Sequence, residues 1–208
     1  MQANSDDDKK QVGNEHGHGL TYLLFTNEGY CPCHAPMLVG ILKEEGVKPV
    51  IVRVSSIHVQ VYTTTSRLQG LEGVMIERIG FKPAEKPELM PCKSIDCLFN
   101  NYVDLLAREL FWEAHEVGEE IWRLGAPQGQ YLAVVAGIFA KAQEGLLGPV
   151  DKLVKQTLTS IILNQPGLGI GLDLNCILSQ ASIILSCGRP EAWKCITTPA
   201  ITISYRRK

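Results

Sequence analysis

Two periods divide this chain. Up to about residue 80, apolar and polar positions alternate in short runs, and beyond residue 94 apolar positions recur every three or four residues. Leu20 to Thr26 is a short apolar run suited to a buried strand. After Asn27-Glu-Gly29 comes Tyr30-Cys-Pro-Cys-His34, and Pro36 suits the first turn of a helix that carries Leu38, Ile41 and Leu42 and stops at Gly46. Val50, Val52 and Val54 alternate with Ile51, Arg53 and Ser55, and Val59, Val61 and Thr63 set a third strand after a tight connection at Ser55-Ser56. A short helical segment over Ser66–Leu71 and a fourth strand over Val74–Ile79 complete the series. Strand, helix, strand, strand, short helix, strand is the order of a ferredoxin-like α/β sandwich. Pro83, Pro87 and Pro91 then interrupt regular structure.

The second half reads as helices. Val103, Leu106, Leu110, Ala114, Val117, Ile121 and Leu124 form an apolar stripe along one long helix, closed at Gly125-Ala-Pro127. Tyr131, Val134, Val135, Ile138 and Phe139 mark the next, whose other positions are small. A third starts after Gly148-Pro149 with Val150, Leu153, Val154, Leu158, Ile161 and Ile162 inward. Asn164–Gly171 is a glycine-rich loop, and a fourth helix turns Ile177, Leu178, Ala181 and Ile184 inward. Short connections favour antiparallel neighbours. The expected fold class is therefore α+β: a small ferredoxin-like α/β sandwich followed by an antiparallel four-to-five helix bundle. The expected divisions are a polar leader over 1–19, the sandwich over 20–82, a linker over 83–93, the bundle over 94–188 and a tail over 189–208 containing strand-like Ile201–Tyr205.

The densest chemistry lies at 110–123, Leu-Phe-Trp-Glu-Ala-His-Glu-Val-Gly-Glu-Glu-Ile-Trp-Arg. Beside the apolar stripe runs a line of Phe111, His115, Gly118 and Trp122, and next to it an acidic line of Glu109, Glu113, Glu116 and Glu120. One reading packs Phe111 and Trp122, pairs His115 with Glu119 one turn on and leaves the glutamates in water. The other makes Trp112, Glu113, His115, Glu119 and Trp122 a ligand-binding surface, or gives His115 an acid–base role with Glu116 or Glu119. A zinc-protease helix needs a second histidine where Glu119 stands, and no Glu-x-x-His repeat supports a di-iron bundle. The second candidate is Cys31, Cys33 and His34, between a strand and a helix N-terminus. These are three soft ligands that could hold part of a metal site with His58 or Cys97, take part in redox chemistry, or simply fill space.

Charge narrows the partners. Twenty Lys and Arg against twenty-two Asp and Glu give a net charge of −2, so nothing pulls the chain towards nucleic acid or anionic lipid. The basic cluster Arg206, Arg207 and Lys208 sits at the extreme end. No apolar run reaches the roughly 18 residues of a membrane span. The acidic start, with His16 and His18, is unlike a secretory signal, so the seven cysteines read as reduced and the protein as cytoplasmic. Gly167-Leu-Gly-Ile-Gly171 has no Lys-Ser/Thr after it and is no phosphate loop. These observations favour a non-enzymatic protein that binds a small ligand, a metal or a protein partner and leave a homo-oligomer open. The alternatives are an enzyme built on His115 and nucleic-acid binding through the sheet, where Tyr62 lacks a paired aromatic.

The run Phe111–Arg123, with its Glu113-Ala-His-Glu116 core, Glu119 or Glu120 and Trp122, resembles the signature helix of a prokaryotic all-helical family, number three hundred and nine of the domain-of-unknown-function series. The next helix, Tyr131-Leu-Ala-Val-Val-Ala-Gly-Ile-Phe139, is similar to the family's second. The Cys-Pro-Cys-His start resembles the extra N-terminal domain of archaeal members. Gly118 departs from the bulky aliphatic expected there. The resemblance implies a helical fold and no activity.

Overall fold

Alternating residues form β1 (Thr21–Thr26), β2 (Val50–Val54) and β3 (His58–Thr63) in the computed structural model of the chain. The structure describes residues 21–47, 50–63, 68–86, 91–158 and 171–197. The leader with its two histidines, Ile161 and Ile162, the glycine-rich loop to residue 170 and the tail from residue 198 lie outside the described residues. β3 pairs antiparallel with β1 and β2, placing Gln60 opposite both Leu24 and Arg53. β4 (Lys82–Pro83) adds to the other edge of β1, giving the order β2-β3-β1-β4. Helix α1 (Ala35–Glu44) connects β1 to β2, and α2 (Leu68–Glu77) lies between β3 and β4.

The expected fourth strand at Val74–Ile79 is instead the end of α2 and the turn after it. Leu71 and Met75, one helical turn apart, are both buried and seat that helix on the sheet, which outweighs the β preference of the Val-Met-Ile run. The true fourth strand is short and crosses the expected boundary at residue 82. Pro83 has no N–H to give a ladder and stands where a strand edge tolerates that.

Period two gives the sheet two covered faces. Phe25, Val50, Val52, Val54, Val59 and Val61 pack with Leu38 and Leu42 of α1, with Leu71 and Met75 of α2, and with Phe81. Leu24, Ile51 and Tyr62, on the other face, join the helical core. That core is built by α3 (Ile95–Ala107), α4 (Phe111–Arg123), α5 (Gln128–Gln143), α6 (Leu147–Lys152) with a π-helical turn over Leu153–Leu158, and α7 (Leu174–Leu185). β5 (Gly171–Leu172) pairs with β6 (Ile196–Thr197) after a 3-10 turn, Ala192–Cys195. The whole is α+β. Among the described residues no helix is long and apolar enough to cross a membrane.

The single long helix expected through Val103 and Leu124 is broken into α3 and α4. Glu109 takes φ 58°, while its N–H donates to Leu106 O and the Leu110 N–H to Leu105 O, the doubly hydrogen-bonded cap that ends many helices. The same cap ends α1 at Gly46, α4 at Gly125, α5 at Gly145 and α7 at Cys187. Glycine accepts the left-handed conformation freely, whereas a side chain there costs roughly 1–2 kcal/mol. Two of these five ends carry that strain. The stripe survives the break, because Leu106, Leu110, Ala114, Val117 and Ile121 are all buried. Leu124 and, in α7, Leu178 face out instead.

Gly118 is explained by how close α4 and α5 lie. A Cβ at Gly118 would sit 2.5 Å from the Ala133 backbone nitrogen, and one at Gly129 would collide with the Trp122 and Gly118 backbones. A bulky aliphatic at 118 has no room.

Six of the seven cysteines are bonded, not reduced: Cys31–Cys187, Cys92–Cys97 and Cys176–Cys195. Cys33 is free and exposed.

Candidate functional site

Two glutamates expected in water lie between the sheet and the helices. Glu109 is 2% and Glu113 4% exposed. The α3–α4 break aims the Glu109 carboxylate at the β2–β3 hairpin, where it accepts the Ser56 N–H at 2.8 Å and the Ser56 hydroxyl. Burial pushes the Glu109 pKa up, and the Ser56 bonds and the Arg189 charge pull it partly back. Glu113 accepts both Gln60 amide contacts, at 2.9 and 3.0 Å, and the Tyr62 hydroxyl at 3.1 Å. Lys86 stands near enough for the Glu113 charge to raise its pKa, against a larger lowering by burial.

Arg53 completes this layer. It is 1% exposed, and its guanidinium pairs with Glu144 at 2.7 Å. It lies 4.5 Å from the ring centres of both Tyr62 and Trp112, whose planes meet at 70°, so the cation occupies the corner between two π faces. Lys141 pairs with the other Glu144 oxygen at 2.8 Å. A strand arginine among valines gave no sign of this role, and its partner Glu144 stands at the C-terminal end of α5, outside the acidic line of α4. The face of the sheet that carries Tyr62 is covered: Tyr62 is buried against Trp112 and offers no stacking surface.

On the far side of Trp112 the stack continues outward. His115 lies 5.0 Å from the Trp112 ring at 27°. Its Nδ1 is 2.9 Å from Ala133 O, an atom that can only accept, which fixes the proton on Nδ1. Nε2 is left facing Glu119 at 3.3 Å. Trp122, expected to pack, is 51% exposed. Three, four and seven residues along a helix share a face, so His115, Glu119 and Trp122 form one outward stripe. Neighbours one apart do not face each other, and Glu116 points away from His115. Of the five expected binding residues, these three meet solvent, while Trp112 and Glu113 are used internally.

The cysteine turn is arranged differently from the metal reading. The Cys31 sulfur is committed to Cys187, and the His34 Nδ1 accepts the Cys31 N–H at 3.0 Å. Among the described residues no three His, Cys, Asp or Glu side chains gather closely enough to hold a metal. Cys97, considered as a fourth ligand, is bonded to Cys92. A cavity of about 180 Å³ opens beside the turn, lined by Asn27, Gly29, Tyr30, Cys31, Pro32, Val54, Ser55, Ser56, Ile184, Cys187 and Gly188. It holds none of the α4 candidates, so His115 and the cysteine turn do not share this cleft.

Comparison with known proteins finds no matching family model, no matching curated protein and no matching solved structure.

Proposed function

We propose that this is a non-enzymatic binding protein whose α4 stripe engages a basic segment of a protein partner. The observation that carries the reading is a half-exposed indole, Trp122, on the same helix face as the Glu119 carboxylate and a histidine whose orientation is fixed from behind. An exposed indole face attracts a guanidinium or ammonium, and a neighbouring carboxylate adds charge complementarity. The test is calorimetric titration with an arginine-rich peptide and with its acidic counterpart. Saturable binding of the basic peptide, weakened at least tenfold by Trp122→Ala, is expected; equal heats from both peptides, or an unaffected variant, would remove the reading. The acid–base alternative rests on the His115–Glu119 pair.

The wider assignment belongs to the same proposal. We read residues 20–82 as a ferredoxin-like sandwich, supported by the element order and the β2-β3-β1-β4 sheet, and residues 94–188 as a helical bundle. Membership of the domain-of-unknown-function family is supported by the match of its signature to α4 and the small residues of α5. A cytoplasmic setting was expected from the leader, but three disulfide bonds are chemistry of an oxidising compartment, and we favour the latter.

A further inference from the structure

We propose that Cys31, Cys33 and Cys187 form a thiol–disulfide exchange site, its Cys31–Cys187 bond on the cavity wall and Cys33 two residues along the turn, independent of the α4 surface. The Cys33 thiolate attacks the Cys31 sulfur; the Cys31–Cys33 bond forms, the Cys31–Cys187 bond breaks and Cys187 leaves as a thiolate. One disulfide replaces another, so no electron enters or leaves. The proton that Cys33 gives to solvent is balanced by the one Cys187 takes up.

Four observations converge on these residues. Cys31 and Cys187 both line the cavity wall, and Cys187 is itself exposed; Cys195 of the Cys176–Cys195 bond is fully buried. The one free thiol among the described residues, Cys33, is exposed and stands in the 3-10 turn Pro32–His34 that follows Cys31. Cys187 occupies a left-handed helix cap at φ 65°, where glycine serves better, so the sulfur is the reason for a side chain there. Finally, the chain before Cys31 is anchored independently of the bond. Asn27 Oδ1 accepts from the Gly29 and Tyr30 N–H groups, and its Nδ2 donates to Tyr30 O and Ser55 O. Residues two apart lie within about 7 Å, inside the span a disulfide can close. Exchange would convert a crosslink over 156 positions into a local one and free the end of α7 from the sheet.

The test uses the oxidised full chain, held overnight at mildly alkaline pH, pulsed with N-ethylmaleimide and mapped by non-reducing digestion and mass spectrometry. Label divided between Cys33 and Cys187, with a Cys31–Cys33 linked peptide, is expected, and Cys33→Ser should abolish the Cys187 label. Label confined to Cys33, or Cys187 labelled equally in Cys33→Ser, would overturn the proposal. In Cys187→Ser treated with oxidised glutathione, a Cys31–Cys33 bond is expected; two separately modified thiols at 31 and 33 would also overturn it.

Discussion

Glu109 and Cys187 share a predicament and a solution. Each ends a helix in a conformation that disfavours side chains, and each sends its side chain across to the sheet half, to Ser56 in one case and to Cys31 in the other. Neither was legible in the sequence, because the usual mark of this cap is glycine, and a Glu or Cys in a helical pattern raises no flag. Their ionisable neighbours make the junction pH-sensitive in opposite directions. Burial raises the Glu109 pKa above its ordinary 4.5, so the folded state holds that proton more tightly. Its contribution to stability is fullest below 4.5 and is lost as pH rises through the raised folded value. His58 is lowered from 6.5 by burial and by the Arg108 charge. Its contribution is present above 6.5 and is lost as pH falls through the lowered value. In urea melts at stepped pH, Glu109→Gln should gain on the native chain as pH rises above 4.5, and His58→Gln should gain as pH falls below 6.5. Differences that stay flat with pH would contradict both assignments.

At the scale of elements, the apolar patterns carried β1, α1, β2, β3 and the cores of α4, α5 and α7, because period is set by which face meets a core. They failed where a neighbour decided the outcome. The second half of α2, from Val74, reads as a strand by its β-branched run, but Leu71 and Met75 seat one helical face, and the α3–α4 break kept the stripe intact and so left the pattern unchanged. The acidic line of α4 showed where polar side chains lie and hid that a second layer covers part of it. Gly118 is the sharpest element-scale test. Gly118→Val must push α4 from α5 against the Ala133 backbone, and overpacking of this kind costs about 1–3 kcal/mol or more. Thermal melts should show a clear fall in Tm; an unchanged Tm would mean the two helices are not in backbone contact.

For the whole molecule, the decisive feature is a sheet buried on both sides, one face against valine-packing helices and the other against a charged and aromatic layer. Breaking a buried pair by removing one partner usually costs about 3–5 kcal/mol, whereas replacing both groups is far milder. Arg53→Met should therefore lower stability by about 3 kcal/mol in denaturant melts, with Lys141 still holding Glu144, and adding Glu144→Gln should recover part of it; a loss below about 1 kcal/mol would contradict the buried pair. The Cys31–Cys187 bond works at the same scale. Loop-closure entropy over 156 positions makes it worth on the order of 5 kcal/mol, so Cys187→Gly, which relieves the strained cap, should still lower stability.

Sheet and helices that fold as one unit through the buried layer of Arg53, Glu113 and Glu109 must open together, which native-state hydrogen exchange under rising denaturant reads residue by residue. Amides of β3 (Val59–Tyr62) and of α5 (Leu132–Phe139) should converge on one common opening free energy. Sheet amides that open at distinctly lower free energy while α5 stays protected would contradict it.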